Sequence, residues 1–314
     1  MRTNKNQVNL QGYVYDISKL SKRVTGANSK NPGTEYIGGE LSIAIDEKGL
    51  NVVPVRFSYV TATYAKSGKP NNTYALLDKM INDPKTWLAD GKDAAYKVRI
   101  DASLGLNDFI SNDGQQVSAQ VINGSFVSFV KELPEQESER NKFLCDVVVT
   151  RVKHIEAEAE RHIDKDYVVV GGAAFDFRNS LLPMEFTVRN PAGMNIFEDA
   201  GVSAAEPLYT KVWGQINNRT ITFEKVEESS FGASAVSTFE RKSREWLIEG
   251  MAKVPYEFGE EGVMTREELT KAMQDREVAW AAIQKRHDER QTAQNFNAAP
   301  AVSEVSVKVG QFDF

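Results

Sequence analysis

Apolar and polar residues alternate in short runs through the first 130 positions of the chain, and this period of two is typical of half-buried β-strands. The run at residues 50–64 shows the pattern best. Its apolar positions, which share one predicted face, are Val53, Val55, Phe57 and Tyr59. The predicted strands of this region are residues 7–17, 38–45, 50–64, 96–106 and 119–130.

One helix is predicted to interrupt these strands. Residues 73–83 place apolar side chains at helical spacing, namely Leu76, Leu77, Met80 and Ile81. Three strands, a helix and two further strands is the element order of an OB fold, a five-stranded Greek-key barrel. The pattern therefore predicts an OB-fold barrel in residues 1–131.

The strand pattern starts again after a charged linker. Its predicted strands are residues 143–155, 166–177 and 182–190, with a last pair inside 209–226. Lys-Val-Arg at 97–99 matches Lys-Val-Trp at 211–213 in this comparison. The repetition predicts a second OB-like domain with a helix in residues 142–256, although two unrelated β domains would give a similar pattern.

Two helical stretches are predicted towards the C-terminus, at residues 237–254 and 264–291. Thr265 and Glu268 have the spacing of a capping box at the start of the second. Its apolar stripe is thin, which favours a helix packed on the second β domain. The predicted fold is mainly β, with two OB barrels in tandem, a helical segment at 257–293 and a flexible tail at 294–314.

Charge is unevenly divided along the chain, whose formal net charge is −6. Residues 1–130 contain 15 Lys and Arg against 12 Asp and Glu, whereas the remainder contains 23 against 32. The total excludes a uniformly basic nucleic-acid-binding protein. A local positive field in the first half still suits a polyanion, because salt screens charges beyond about 10 Å.

Motifs for catalysis, cofactors and membrane insertion are not found in the sequence. No apolar run approaches the roughly 20 residues that cross a bilayer, and the start lacks the apolar stretch of a signal peptide, so a cytoplasmic protein is expected. The single cysteine, Cys145, is expected to be buried and inert. His154, Glu158 and His162 have helical spacing, but structural zinc usually requires four ligands including thiolates. We therefore expect no enzyme, no metal and no cofactor.

Basic and aromatic residues are interleaved in the predicted first barrel. Cations contact phosphates and flat rings stack on unpaired bases, so this combination suits single-stranded nucleic acid. Each of these residues also has an ordinary explanation by itself, because a strand tyrosine is often a core or solvated residue and a loop lysine usually keeps a protein soluble. The candidate DNA-binding residues are Lys19, Lys22 and Arg23 in the loop after the first strand, Arg56, Tyr59, Tyr64, Lys66, Lys69 and Tyr74 on or after the third, Arg99 and Phe109 on or after the fourth, and Trp213 in the second domain.

The first half resembles a known family. The segments "NQVNLQGYVYD", "GGELSIAID", "VPVRFSYVTATY", "YKVRIDASLGLNDF" and "AQVINGSFVSFV" resemble phage-type single-stranded DNA-binding proteins of the OB-fold class. The resemblance implies a protein that coats single-stranded DNA during replication or recombination without catalysis. An OB-containing structural or assembly protein that does not bind DNA is the alternative, because a fold does not determine a function.

The same resemblance implies a role for the last residues, since such proteins often end in an acidic peptide with a terminal phenylalanine that docks on partner enzymes. Phe312, Asp313 and Phe314 are the candidate partner-binding residues. The chain departs from the family because its acidic tail is reduced to Asp313 and the terminal carboxylate. Alternation of valines at 305–309 is also compatible with a strand. The second half is expected to extend the DNA site or to form a contact between copies of the chain.

Overall fold

The computed structural model describes residues 4–64, 66–158, 163–227, 231 and 235–297, and they form a mainly β structure. The strands of its first half are β1 (Asn6–Asp16), β2 (Ser21–Val24), β3 (Glu35–Ala44), β4 (Val52–Thr61), β5 (Lys97–Ile110) and β6 (Gln116–Phe129). Those of its second half are β7 (Asn141–Ile155), β8 (Tyr167–Phe175), β9 (Leu181–Val188), β10 (Leu208–Glu227) and β11 (Ala235–Met251). The helices are α1 (Asn72–Asn82), α2 (Trp87–Asp90), α3 (Pro191–Asp199) and α4 (Arg266–Asn297).

Five strands of the first half pair in a closed circuit, here called the first ring. β1 pairs with β3 and β5, β3 with β4, and β5 with β6, all antiparallel. The circuit closes where β4 runs parallel to β6, with Arg56 opposite Asn123. α1 connects β4 to β5 and confirms the helix predicted there.

The second half repeats this circuit as the second ring. β7 pairs with β8 and β10, β8 with β9, and β10 with β11, again antiparallel. It closes where β9 runs parallel to β11, with Val188 opposite Ile248. α3 follows β9 as α1 follows β4. Both rings therefore have the same strand order and a helix at the same place.

β1 joins the two rings because one of its edges is shared. Asn6 to Leu10 pair with β7, and the same edge pairs with β3 from Tyr13 onward. All eleven strands thus belong to one hydrogen-bonded sheet. The largest cluster of buried apolar side chains also draws members from both rings, and it includes Cys145, whose thiol pKa is raised by burial. Burial of this cysteine was predicted.

The helix predicted at residues 237–254 is wrong, since the chain there forms β11. The strand pairs with β10 along nearly its whole length, from Val212–Met251 to Glu227–Ala235. Burial also alternates along it, because Trp246 and Ile248 are buried while Leu247 is half-buried and Glu249 is exposed. The predicted last pair of strands inside residues 209–226 is a single strand for the same reason. Long-range pairing has overridden a sequence that also fits helical spacing.

α4 begins at the predicted capping box and packs on both rings. Thr265 N donates to Glu268 Oε2 at 3.0 Å, and Glu268 N donates to Thr265 Oγ1 at 3.2 Å. Arg276 donates to both carboxylate oxygens of Asp108 on β5, at 3.0 and 3.1 Å. The helix also contacts β9, so packing on the second half alone was too narrow a prediction. Among the described residues, no helix combines the length and apolar content needed to cross a bilayer.

Three side-chain amides join the rings where β10 leaves β7, and we call Asn51, Asn141 and Asn218 the amide junction. Asn141, only 1% exposed, accepts from Ile216 N at 3.1 Å and donates to Ile216 O. Asn51, in the β3–β4 turn, donates to the same carbonyl at 3.2 Å and accepts from Asn218 N at 3.0 Å. Asn218 returns a bond to the carbonyl of Val52. The bonds to Ile216 and Asn218 satisfy backbone groups of β10 beyond Gly214, where β7 no longer pairs with this strand.

We expect Asn141→Ala to lower the free energy of unfolding by about 1–3 kcal/mol, because it leaves the buried N–H of Ile216 without an acceptor. Urea denaturation followed by circular dichroism measures the change. Asn9→Ala, at an exposed position of the same sheet, serves as the matched control and should change stability by less than about 0.5 kcal/mol. Equal effects of the two substitutions would contradict a stabilising role of the junction.

Candidate nucleic-acid interface

A groove of about 480 Å³ lies between the two rings. One wall comes from β3, β4, β5 and β6 of the first ring, and the other from β10 and β11 of the second. Its cationic side chains are Lys19, Arg23, Arg56 and Arg244. We call it the basic groove.

Two of its guanidinium groups come from opposite walls and bind only neutral groups among the described residues. Arg56 on β4 donates to Asn107 Oδ1 at 2.6 Å. Arg244 on β11 donates to the carbonyl oxygen of Gln120 at 3.0 Å. Because neither bond neutralises charge, both groups remain able to attract an anion.

The other two cations come from the β1–β3 connection. Arg23, on β2, donates to Ser21 Oγ at 3.2 Å, again a neutral partner. Lys19 Nζ lies 3.0 Å from Glu40 Oε1, an exposed pair of the kind that contributes little stability. The groove therefore has more positive than negative charge along its described lining.

A pair of aromatic rings, one half-buried and one exposed, lies on β3 and β4, the strands that carry the groove-lining residues Gly39 and Ser58. The ring centroids of Tyr36 on β3 and Tyr59 on β4 are 4.7 Å apart at an interplanar angle of 40°. Tyr59 is 48% exposed because β4 bulges, so that Ser58 and Tyr59 both lie opposite Gly38. The bulge reverses the alternation, which is why the prediction that Tyr59 shares the face of buried Phe57 is wrong.

Trp246 contributes a buried donor to the lining. Its side chain is 2% exposed, and its indole N–H has no hydrogen-bond partner within the described part of the chain. A buried donor without an acceptor is energetically costly. An oxygen-rich ligand in the groove is one way to supply the acceptor.

Two other predicted site residues of the first half bind carboxylate groups of the protein. Lys22 lies on β2 rather than in a loop, and it forms an ion pair with Asp78 on α1. The hydroxyl of Tyr74 donates to Glu35, whose hydrogen bond raises the pKa of Tyr74 to about 12. The ring of Tyr74 also packs against the core. Both side chains are therefore committed to contacts within the protein.

Three further candidates lie in the segment between β4 and α1. Tyr64, Lys66 and Lys69 are exposed there, and Tyr64 N donates to the carbonyl of Lys69 at 2.9 Å. They are not part of the lining of the basic groove.

Arg99, Phe109 and Trp213 also lie outside the groove. Arg99 forms an ion pair with Asp101 on its own strand at 3.3 Å. Trp213, 41% exposed, covers the backbone of Gly250 on β11, where an added Cβ would lie 2.5 Å from the indole. Phe109 is an exposed ring near the end of β5. The structure thus brings Lys19, Arg23, Arg56 and the neighbouring Tyr59 together and leaves the other candidates apart.

Sequence reasoning missed Arg244, Gln120 and Trp246. Arg244 and Trp246 lie in the segment interpreted as a helix, and Gln120 carries no distinctive motif. Arg244 shares one strand face with Trp246 and Ile248, but apolar Leu247 between the last two obscures the alternation that would identify the strand.

His154 belongs to a separate cluster at the end of β7. Its Nδ1 lies 2.6 Å from Glu198 Oε1 on α3, and its Nε2 lies 3.6 Å from Asp166 Oδ2. His162, the other histidine of the weighed zinc motif, lies outside the described residues. No group of three or more ligands suited to a metal ion occurs among the residues that are described.

The pKa of His154 is raised above its usual value of 6.5, mainly by the hydrogen bond with Glu198. The charged imidazole therefore stabilises the fold fully below pH 6.5, and this contribution is lost as the pH rises through the raised pKa. We expect the melting temperature of the wild type to fall over that interval, whereas His154→Gln lacks this step. Identical pH profiles of the two proteins in differential scanning fluorimetry would contradict the expectation.

Comparison with known proteins gives one family match. A family model described as YorF matches residues 4–288. No curated protein matches the chain.

Solved structures that resemble it weakly include the following three. A deletion mutant of the single-stranded DNA binding protein from Thermus aquaticus aligns at a TM-score of 0.46 and 12% identity, covering 83% of this chain and 98% of that one. The wild-type protein aligns at a TM-score of 0.44 and 13% identity, covering 82% of this chain and 97% of that one. A replication protein A heterotrimer bound to single-stranded DNA aligns at a TM-score of 0.24 and 10% identity, covering 86% of this chain and 69% of that one. Likenesses this weak establish neither a shared fold nor a shared ligand.

Proposed function

The chain belongs to the YorF family, and from the geometry of the basic groove we propose that it is a non-enzymatic protein that binds single-stranded DNA there. The observation that carries the proposal is the placement in one groove of three guanidinium groups that have no carboxylate partner among the described residues, with exposed Tyr59 and its ring partner Tyr36 on the strands of one wall. Guanidinium groups bind phosphate oxygens strongly, and tyrosine rings stack on bases. Bases are available for stacking in a single strand but are covered in a duplex.

The proposal includes the assignment of each ring to the OB fold. Two observations support it: both rings have the same strand order, and each has a helix after its third ring strand. OB folds bind oligonucleotides on their second and third strands and on the loop between the first two. In the first half these are β3, β4 and the segment with Lys19 and Arg23, all of which contribute to the lining of the basic groove.

The cellular role follows from that binding. The protein would coat exposed DNA during replication or recombination in the cytoplasm, of a phage-infected host if it is phage-encoded. Docking of a partner enzyme on Phe312, Asp313 and Phe314 is a prediction that concerns residues outside the described part of the chain. The predicted boundaries at residues 131, 142, 256 and 293 remain predictions as well.

We expect Arg56→Ala with Arg244→Ala to reduce the salt dependence of binding, because each lost phosphate contact lowers the slope of log K against log salt by about 0.7 for single strands. Fluorescence anisotropy with labelled oligo-dT at several salt concentrations measures it. Lys253→Ala, an exposed cation outside the groove, is the control and should leave the slope unchanged. Failure of the wild-type protein to bind oligo-dT at low salt would rule out the proposed function and favour a structural or assembly role.

Removal of an aromatic ring should lower the affinity for DNA without changing its salt dependence. Tyr59→Ala is expected to weaken binding by about 1–3 kcal/mol at every salt concentration while leaving the slope intact, because stacking releases no counterions. Tyr59→Phe keeps the ring and should bind nearly as the wild type does. Phe177→Ala removes an exposed ring that is not part of the groove lining, and it is the matched control. Unchanged affinity of Tyr59→Ala would show that DNA does not stack on the tyrosine pair.

A further inference from the structure

A second recess, of about 500 Å³, lies on the second ring next to the basic groove. It is bounded by β6, β7, β8 and β9, with Arg151, Gly171 and Glu185 among its lining residues. Gln120 on β6 lines both the recess and the basic groove. The side-chain amide of Gln120 donates to the backbone carbonyl of Glu185 at 3.4 Å, while the backbone carbonyl of Gln120 accepts from Arg244 at 3.0 Å. The two depressions therefore meet at this one residue.

The recess and the basic groove share one pair of equivalent strands in their linings, β8 and β9 in the recess and β3 and β4 in the groove. β9 corresponds to β4 in strand order, and the sequences "VVPVRFS" at 52–58 and "LLPMEFT" at 181–187 share a proline and a phenylalanine at equal spacing. Phe57 and Phe186, the shared phenylalanines, are both fully buried. Glu185 therefore takes the position of Arg56.

The charge of Glu185 is opposite to that of Arg56, but an arginine on another strand neutralises it. Arg151 on β7 forms an ion pair with Glu185, and each side chain is 62% exposed. The guanidinium lies against Gly171, where a Cβ would come within 3.0 Å of Arg151 Nε. Glycine at 171 thus leaves room for an arginine over β8. An exposed pair of this kind is held weakly, so another anion can compete for the guanidinium.

We propose that the recess is a second subsite for the same DNA strand, and that Glu185 restricts its use. This inference rests on the proposed function. A strand that leaves the basic groove at Gln120 continues over β8 and β9, where a phosphate replaces the Glu185 carboxylate at Arg151. A strand too short to extend beyond the groove does not reach Arg151. The effect of Glu185 must therefore depend on the length of the oligonucleotide.

The test uses the full chain and labelled dT oligomers from about 4 to about 32 nucleotides, a range that spans the site sizes of one and two OB folds. Glu185→Gln removes one negative charge near the path and should raise affinity for the longest oligomers about fivefold. The shortest oligomers that bind measurably should be unaffected. Arg151→Ala should lower affinity for long oligomers alone, and adding it to Glu185→Gln should abolish the gain. Glu257→Gln, an exposed carboxylate outside both depressions, is the charge control.

The outcomes distinguish failure of the subsite from failure of the proposed function. If no oligomer binds the wild-type protein, both are overturned. If oligomers bind but Glu185→Gln has the same effect at every length, or its gain persists without Arg151, only the subsite is overturned. Melting temperatures of all variants check that the exposed substitutions leave the fold intact.

Discussion

The relative position of the two rings depends on how the free edge of β10 is satisfied. β10 leaves β7 after Gly214, and its next buried backbone groups would have no partner without Asn51 and Asn141. Asn51 is itself fixed, because its N–H donates to the carboxylate of buried Asp46 at 3.0 Å. Ile216 and Asn218, whose backbone these amides hold, also line the basic groove. The same hydrogen bonds that join the rings therefore determine the shape of the cavity between them.

The two rings share a framework but differ in the chemistry of their exposed faces. Strand order, helix position and the buried phenylalanines of β4 and β9 are common to both. A single exposed position in each, Arg56 in one and Glu185 in the other, reverses the charge presented to a ligand. Buried positions are constrained by packing and exposed positions are free to diverge, so a repeated fold need not repeat a binding site.

How much the sequence predicts depends on whether the determining contact is local. α1 and the Thr265–Glu268 capping box were predictable because their signals lie within one turn of helix. The exposure of Tyr59 was not, since it follows from a bulge that is defined only by pairing with β3. Arg244 was missed for a related reason, because β11 forms against a strand whose partner residues lie up to 39 positions away, as for Val212 and Met251. The walls of the groove come from both rings, so the sequence of one half of the chain cannot predict it.

The shared edge of β1 has a consequence for how the chain folds. Asn6 to Leu10 leave the ribosome well before their partners at Asn141 to Cys145, which are synthesised more than a hundred residues later. During that interval the edge offers unpaired N–H and C=O groups to any neighbouring strand, including those of other nascent chains. Pairing over such sequence separations is also slow. Aggregation during synthesis is thus the hazard of a design in which the first strand holds both rings together, and a chain cut short after β6 would retain that open edge permanently.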